Sequence, residues 1–269
     1  MTVRATALRI LAAVPAVALT VLAYLWLTLP DVRVLRTQNP TTTAFIELRA
    51  QEARDRGVKP RRVQRWTSYT RISADLKRAV LVAEDDAFWQ HEGVDFEQLQ
   101  ESLEKDLAQG RFVRGGSTIT QQLAKNLYLS PSKNPLRKLR EFVIARRLEA
   151  ELKKARILEL YLNVIEWGDG IYGVEAASHN YFNMPASSLG PGESALLAAA
   201  IVNPRLLNPG RPSKRLLARQ QLILKRMGAV TPPEPVAGPP VPEPTPPDPE
   251  SQPQPKVQPE QLAQPERQQ

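Results

Sequence analysis

A proton acceptor is the first candidate for chemistry in this sequence, and it lies in AVLVAEDDAFWQHEGVD, residues 79–95. A helix starting near Ser73 puts Leu76, Val80 and Glu84 on one face at i, i+4 and i+8, flanked by Ala79 and Ala83. Glu84 then points where the core should be, while Asp85 and Asp86 turn away from that line. A carboxylate at the margin of an apolar face loses hydration, which raises its pKa and makes it a better base. The same residues also read as a frayed helix end with solvated acids. Phe88, His91 and Gly93 follow as a tight turn, in which a lone histidine reads as structural.

Anion-binding candidates lie in two further stretches. In RGGSTITQQLAKNLYL, residues 114–129, Gly115 and Gly116 permit a sharp bend, and Ser117 or Thr118 can cap the helix that follows. Thr118 and Gln121 have capping-box spacing. Ile119, Leu123 and Leu127 form the buried line, with Thr118, Gln121, Gln122 and Lys125 gathered on another side. A glycine turn, a helix N-terminus and a lysine one turn in suit a phosphate or diphosphate, though a solvated polar face is an equal reading. In SKNPLRKLREFVIARRLEAELKKARILELYLN, residues 132–163, Lys138 and Glu141 are i, i+3 neighbours beside Arg137 and Arg140. Either this is an ion-paired helix surface, worth tenths of a kcal/mol, or a cationic wall with one orienting carboxylate. Apolar residues on more than one side (Leu139, Phe142 and Val143, then Ile144, Leu148 and Leu152) predict a helix packed on two faces. The segment 163–204 reads as structural, its His179 included.

These residues need a scaffold, and its period is helical. Helices are predicted near 73–85, 95–109, 118–129, 136–153, 155–165, 172–182, 192–202 and 213–227, separated by turn signals such as Gly168-Asp169-Gly170 and Gly190-Pro191. Alternating β-branched runs are missing, so the expected class is all-α. Residues 31–65 form a basic connector with helix potential in AFIELRAQEARDR, and 66–230 form the single globular domain. Residues 231–269 hold 14 of the 25 prolines and a net charge of −4, and should be a disordered, partly polyproline tail. The net charge of the chain is +8, so residues 1–230 carry +12 and an anionic partner is expected. Without cysteine, and with only His91 and His179, disulfides, zinc ribbons, thiol nucleophiles and His-rich metal sites are excluded.

Compartment follows from the N-terminus. Residues 10–30 carry no charge and, as a helix, span ~31 Å, about one bilayer core. Arg4 and Arg9 precede them, so residues 1–9 are expected in the cytoplasm and everything after Pro30 outside, on one pass through the inner membrane. A cleaved signal peptide ending near Ala18 is the alternative. Export, and the lack of a basic patch interleaved with aromatics, count against nucleic acid as the partner.

Taken together, EDDAFWQHEG at 84–93, GGSTITQQLAKN at 115–126, RKLRE at 137–141 and RILELYLN at 156–163 resemble the family 51 peptidoglycan glycosyltransferases, in the family's order and over about residues 66–210. The lack of room for a penicillin-binding domain makes the chain look like a monofunctional biosynthetic member. The resemblance implies a lysozyme-like all-α glycosyltransferase domain with a membrane-proximal lobe. It implies polymerisation of lipid II into glycan strands, with inversion and release of undecaprenyl diphosphate. Glu84 would be the general base, and Glu141 would organise the donor's diphosphate region, with a divalent cation (Mg or Mn) as a conceivable companion. Lys125, Lys133, Arg137, Lys138 and Arg140 would surround the leaving group, with Gln121 and Gln122 as hydrogen-bonding partners. Asp85 would hold local geometry, and Ser117 and Thr118 would sit near the donor sugar. Where Lys133 stands the family usually has arginine; lysine keeps the charge and loses the bidentate fork. Implied partners are lipid II, the growing strand, the membrane and other wall-synthesis or division proteins. Two alternatives stand beside this: a lytic transglycosylase or muramidase, and a non-catalytic anchored module that binds the cell wall.

Overall fold

The computed structural model describes residues 13, 15–17, 19–20, 23–24, 27–97, 100, 104, 116–130 and 134–228. Among the described residues eight α-helices carry the fold: α1 (Ala44–Asp55), α2 (Ala74–Glu84), α3 (Ile119–Tyr128), α4 (Pro135–Glu151), α5 (Lys154–Val164), α6 (Val174–Phe182), α7 (Pro191–Ala200) and α8 (Lys214–Met227). Local chemistry sets their starts. Ser73 accepts from the Leu76 N–H at the head of α2, Ser213 does the same for α8, and Asn134 caps α4 with Pro135 in its first turn. The α3 start is a complete capping box, with Thr118 Oγ1 accepting from Gln121 N and Gln121 Oε1 accepting from Thr118 N.

The centre of the molecule is α5, in which every residue from 156 to 164 is buried. A helix wrapped on all sides must satisfy its polar groups internally. Asn163 does so by donating to the carbonyls of Thr67 and Glu159 and accepting from the Thr67 N–H (2.8–2.9 Å). Arg156 donates to Glu159, to the Leu35 and Gln38 carbonyls and to Asn39. Around α5, α3 packs on α4 and α5, while α2 packs on α7 and α8. The apolar lines expected on α2 (Leu76, Ala79, Val80) and α3 (Ile119, Leu123, Leu127) are buried. On α4 only one of the two expected faces closes: Ile144, Ala145 and Leu148 are buried, while Leu136 and Leu139 stay exposed.

The fold is mostly helical, as expected, but carries one small sheet that the sequence reading did not foresee. Residues 166–172, read as a turn and the approach to a helix, form a hairpin of β2 (Glu166–Gly168) and β3 (Ile171–Tyr172), to which β1 (Val63–Gln64) adds in parallel, in the order β1-β3-β2. Strands of two or three residues are too short to show alternation, and the hairpin is held by tertiary contact instead. A Cβ on Gly170 (φ +69°) would lie 2.6 Å from the Arg61 carbonyl oxygen, so only glycine lets β1 approach. Residues 31–65 are folded onto the body: Val32 and Leu35 join the main core, Ile46 and Ala53 of α1 are buried, and Arg49 pairs with Glu52 and the buried Glu166.

The proposed crossing segment, 10–30, is described only in part. Its described residues from 13 to 27 are helical and exposed, and among the described residues no helix is long and apolar enough to cross a membrane. The predicted helix 95–109 lies mostly outside the described residues, as does the whole of 231–269.

Candidate active site

Glu84 is the last residue of α2, and the chain turns away immediately after it. Asp85 leaves the helix with extended φ and its side chain becomes buried, contrary to the expectation that it would face outward. One carboxylate oxygen accepts from the Ile119 N–H at the head of α3 (2.8 Å) and the other faces His91 Nε2 (2.9 Å). Gly93 N–H donates to His91 Nδ1 (3.1 Å), so the ring proton sits on Nε2 and is directed at Asp85. Asp85 thus clamps the end of α2 to the start of α3. The α3 N-terminus, read as a phosphate seat, is already occupied by this carboxylate together with the Thr118 hydroxyl.

That clamp sets Glu84 opposite α3. Gln122 Nε2 donates to Glu84 Oε2 (2.9 Å), and Tyr161 of α5 donates its hydroxyl to Gln122 Oε1 (2.9 Å). Burial pushes the Glu84 pKa up; the Gln122 hydrogen bond and then the charges of Arg219 and Lys125 pull the other way, and Asp85 adds to the rise. Its side chain is half-buried, leaving an edge open to a ligand.

A cationic group stands near this carboxylate. Lys125 is one turn beyond Gln122 on α3, and its side chain makes no hydrogen bond or ion pair among the described residues. Burial lowers its pKa; Glu141 and Glu84 oppose that, while Arg137 and Lys138 reinforce it. From α4, Glu141 is buried and accepts from Arg137 Nη1 (2.6 Å) and from Lys138 Nζ. Lys138 also reaches Ser117 Oγ at 3.3 Å, tying the 116–118 turn to α4.

The expected site residues therefore divide. Glu84, Gln122, Lys125, Ser117, Arg137, Lys138 and Glu141 come together. Thr118 and Gln121 are buried and serve the α3 cap. Gln122 faces the base instead of standing free for a leaving group. Arg140 donates to the Thr28 carbonyl (2.8 Å) and lies over the Tyr24 ring, directed at the N-terminal segment. Lys133 is outside the described residues. Two residues with no role assigned from sequence join the site: Tyr161, and Arg219 of α8, anchored by its Nε on the Ala199 carbonyl (3.1 Å). No local spacing links Arg219 to Glu84. The signal for Tyr161 was a phenol flanked by leucines at 160 and 162.

The residues present do not fit a protein-held divalent cation. Both Glu141 oxygens already face cations, and among the described residues no group of three His, Asp or Glu converges.

A desolvated carboxylate held at one oxygen, facing cations from separate helices, is the equipment of a group-transfer enzyme. Such an enzyme takes a proton from its nucleophile and lets its leaving group depart as an anion. The transglycosylase family model matches residues 52–228, and the chain belongs to that family. Its relatives include the biosynthetic peptidoglycan transglycosylase of Nitrosomonas eutropha, 48% identical over 192 residues that cover 71% of this chain and 79% of the relative. Those of Aromatoleum aromaticum (50% over 195 residues, 72% and 84%) and Thiobacillus denitrificans (46% over 220 residues, 81% and 94%) carry the same name.

Proposed function

We propose that this protein is a peptidoglycan glycosyltransferase that polymerises lipid II into glycan strands on a lysozyme-like domain. The observation that carries the reading is Glu84: a carboxylate kept short of water at the end of α2, within the field of the partly buried Lys125. Glu84 takes the proton from the 4-hydroxyl of the incoming GlcNAc. The oxygen then attacks the anomeric carbon of the lipid-linked MurNAc from the face opposite the diphosphate. The C–O bond to the diphosphate breaks as the new glycosidic bond forms, with inversion. Lys125 is placed to meet the charge that builds on the departing diphosphate, with Arg137 and Lys138 behind it. Glu141 offsets part of their charge and orders them, so that the cluster keeps a net positive charge without flying apart.

A membrane anchor in residues 10–30 belongs to the same proposal. The isoprenoid of lipid II stays in the bilayer, and a tethered domain on the extracytoplasmic side meets it in two dimensions. The exposed Leu136 and Leu139 of α4, beside the Arg140 contact with Thr28, are compatible with a membrane-facing side there.

The test is purified lipid II with the wild type and Glu84→Gln. Wild type should lengthen strands and release undecaprenyl diphosphate. Glu84→Gln should lose about 10²–10⁴-fold in turnover while still binding lipid II. Because the base must be ionised, the wild-type rate should climb as pH rises through a Glu84 pKa held above the ordinary carboxylate value. A chelator should leave the rate unchanged if no metal is needed. Shortening of preformed glycan with lipid II untouched would mean a lytic enzyme, and full tolerance of Glu84→Gln a binding module.

A further inference from the structure

A primary amide has nearly the same shape at both ends and opposite polarity. Which end meets a neighbouring carboxylate is decided by what holds the other. At Gln122 the NH₂ end faces Glu84 Oε2 and the oxygen accepts from Tyr161, both at 2.9 Å. The Tyr161 ring is fully buried on α5, where neighbours on every side leave it no room to turn. Burial, with the charges of Glu84 and Asp85, drives its pKa well above that of a free phenol, so the hydroxyl stays protonated and remains a donor.

We propose that Tyr161 is a positioning residue for the reaction: by holding the Gln122 oxygen it forces the Gln122 NH₂ onto Glu84, which keeps that carboxylate aimed and favours its ionised form. The inference rests on Glu84 being the base. Among the described residues, the other charged groups acting on Glu84 are Arg219 from α8, Lys125 from α3 and Asp85 next in the chain; the first two favour the carboxylate and the third opposes it. Without the phenol the amide is free to turn its oxygen toward Glu84. An acceptor there favours the protonated acid, which can donate to it. The base then holds its proton to higher pH.

Tyr161→Phe removes one oxygen and keeps the ring. In the full-length protein polymerising lipid II, the acid limb of kcat/KM should move up by about half to one pH unit, a ~3- to 10-fold loss below the wild-type limb that vanishes on the alkaline plateau. Gln122→Leu should move the limb at least as far, and adding Tyr161→Phe to it should move it no further. Replacing Tyr161 by 3,5-difluorotyrosine, whose hydroxyl is a stronger donor, should shift the limb the opposite way, and this decides the matter if Tyr161→Phe melts early. A loss equal at every pH, or an unmoved limb in both Tyr161 variants, overturns the role. Glu84→Gln run alongside separates the two failures: if it retains turnover the base assignment falls, whereas if it is inactive and the limb stays put only the part given to Tyr161 falls.

Discussion

A carboxylate that strips a proton from a sugar hydroxyl must be basic enough to accept it and still ionised at working pH. Opposed effects bear on Glu84: burial raises its pKa, and Gln122, Arg219 and Lys125 limit the rise. Arg219 is the leading cation in that balance, and its Nε bond to Ala199 fixes where it stands. Arg219→Ala should therefore shift the acid limb of the rate profile toward higher pH, since the ionised form loses its leading cationic support. Arg219→Lys should recover part of the shift, because it restores charge without the planar anchor. A pH–rate profile of the three proteins checks this; coincident acid limbs would remove Arg219 from the site.

Two elements meet at the base, and their junction is a single side chain. Asp85 receives the first N–H of α3 and the His91 proton, so the end of α2 and the start of α3 move as one piece. An asparagine keeps the size of Asp85 but loses the charge, and its amide would present a donor to one of two donors. Asp85→Asn should lower unfolding stability by about 1–3 kcal/mol, read from chemical denaturation. It should also reduce turnover, because Gln122 and Lys125 ride on the helix that is released. Unchanged stability would mean that the clamp is idle. The capping box at the same helix end adds a second hold, which limits the loss to less than unfolding.

On the scale of the whole molecule, the +12 of residues 1–230 and the neutral run 10–30 point the same way, toward an anionic leaflet and an anionic lipid-linked substrate. The folded body takes in more of the chain than the motifs span: Val32 and Leu35 pack into the main core, and Arg156 reaches back to the Leu35 and Gln38 carbonyls. If residues 10–30 anchor the chain as proposed, the protein should remain with the bilayer after alkaline carbonate extraction, and residues beyond 31 should be digestible by protease added from the outer side. Release into the supernatant would refute the anchor.

What the sequence by itself determined was whatever depends on near neighbours. Helix starts follow from caps a few residues away, buried faces from a 3.6-residue period, and the partly buried place of Glu84 from its position on such a face. Two-residue strands, by contrast, have no period to read, and their pairing depends on Arg61 meeting Gly170 across the fold. Side-chain partners also belong to tertiary structure. The same helix face on α3 supplied Gln121 to a cap, Gln122 to Glu84 and Lys125 to a half-buried position in the field of Glu141 and Glu84, because what lies opposite each one comes from elsewhere in the chain. Arg140 was drawn to the Thr28 carbonyl, Arg219 to the base and Tyr161 to Gln122 for the same reason: polarity and charge act through distance in space, and separation along the chain does not report it.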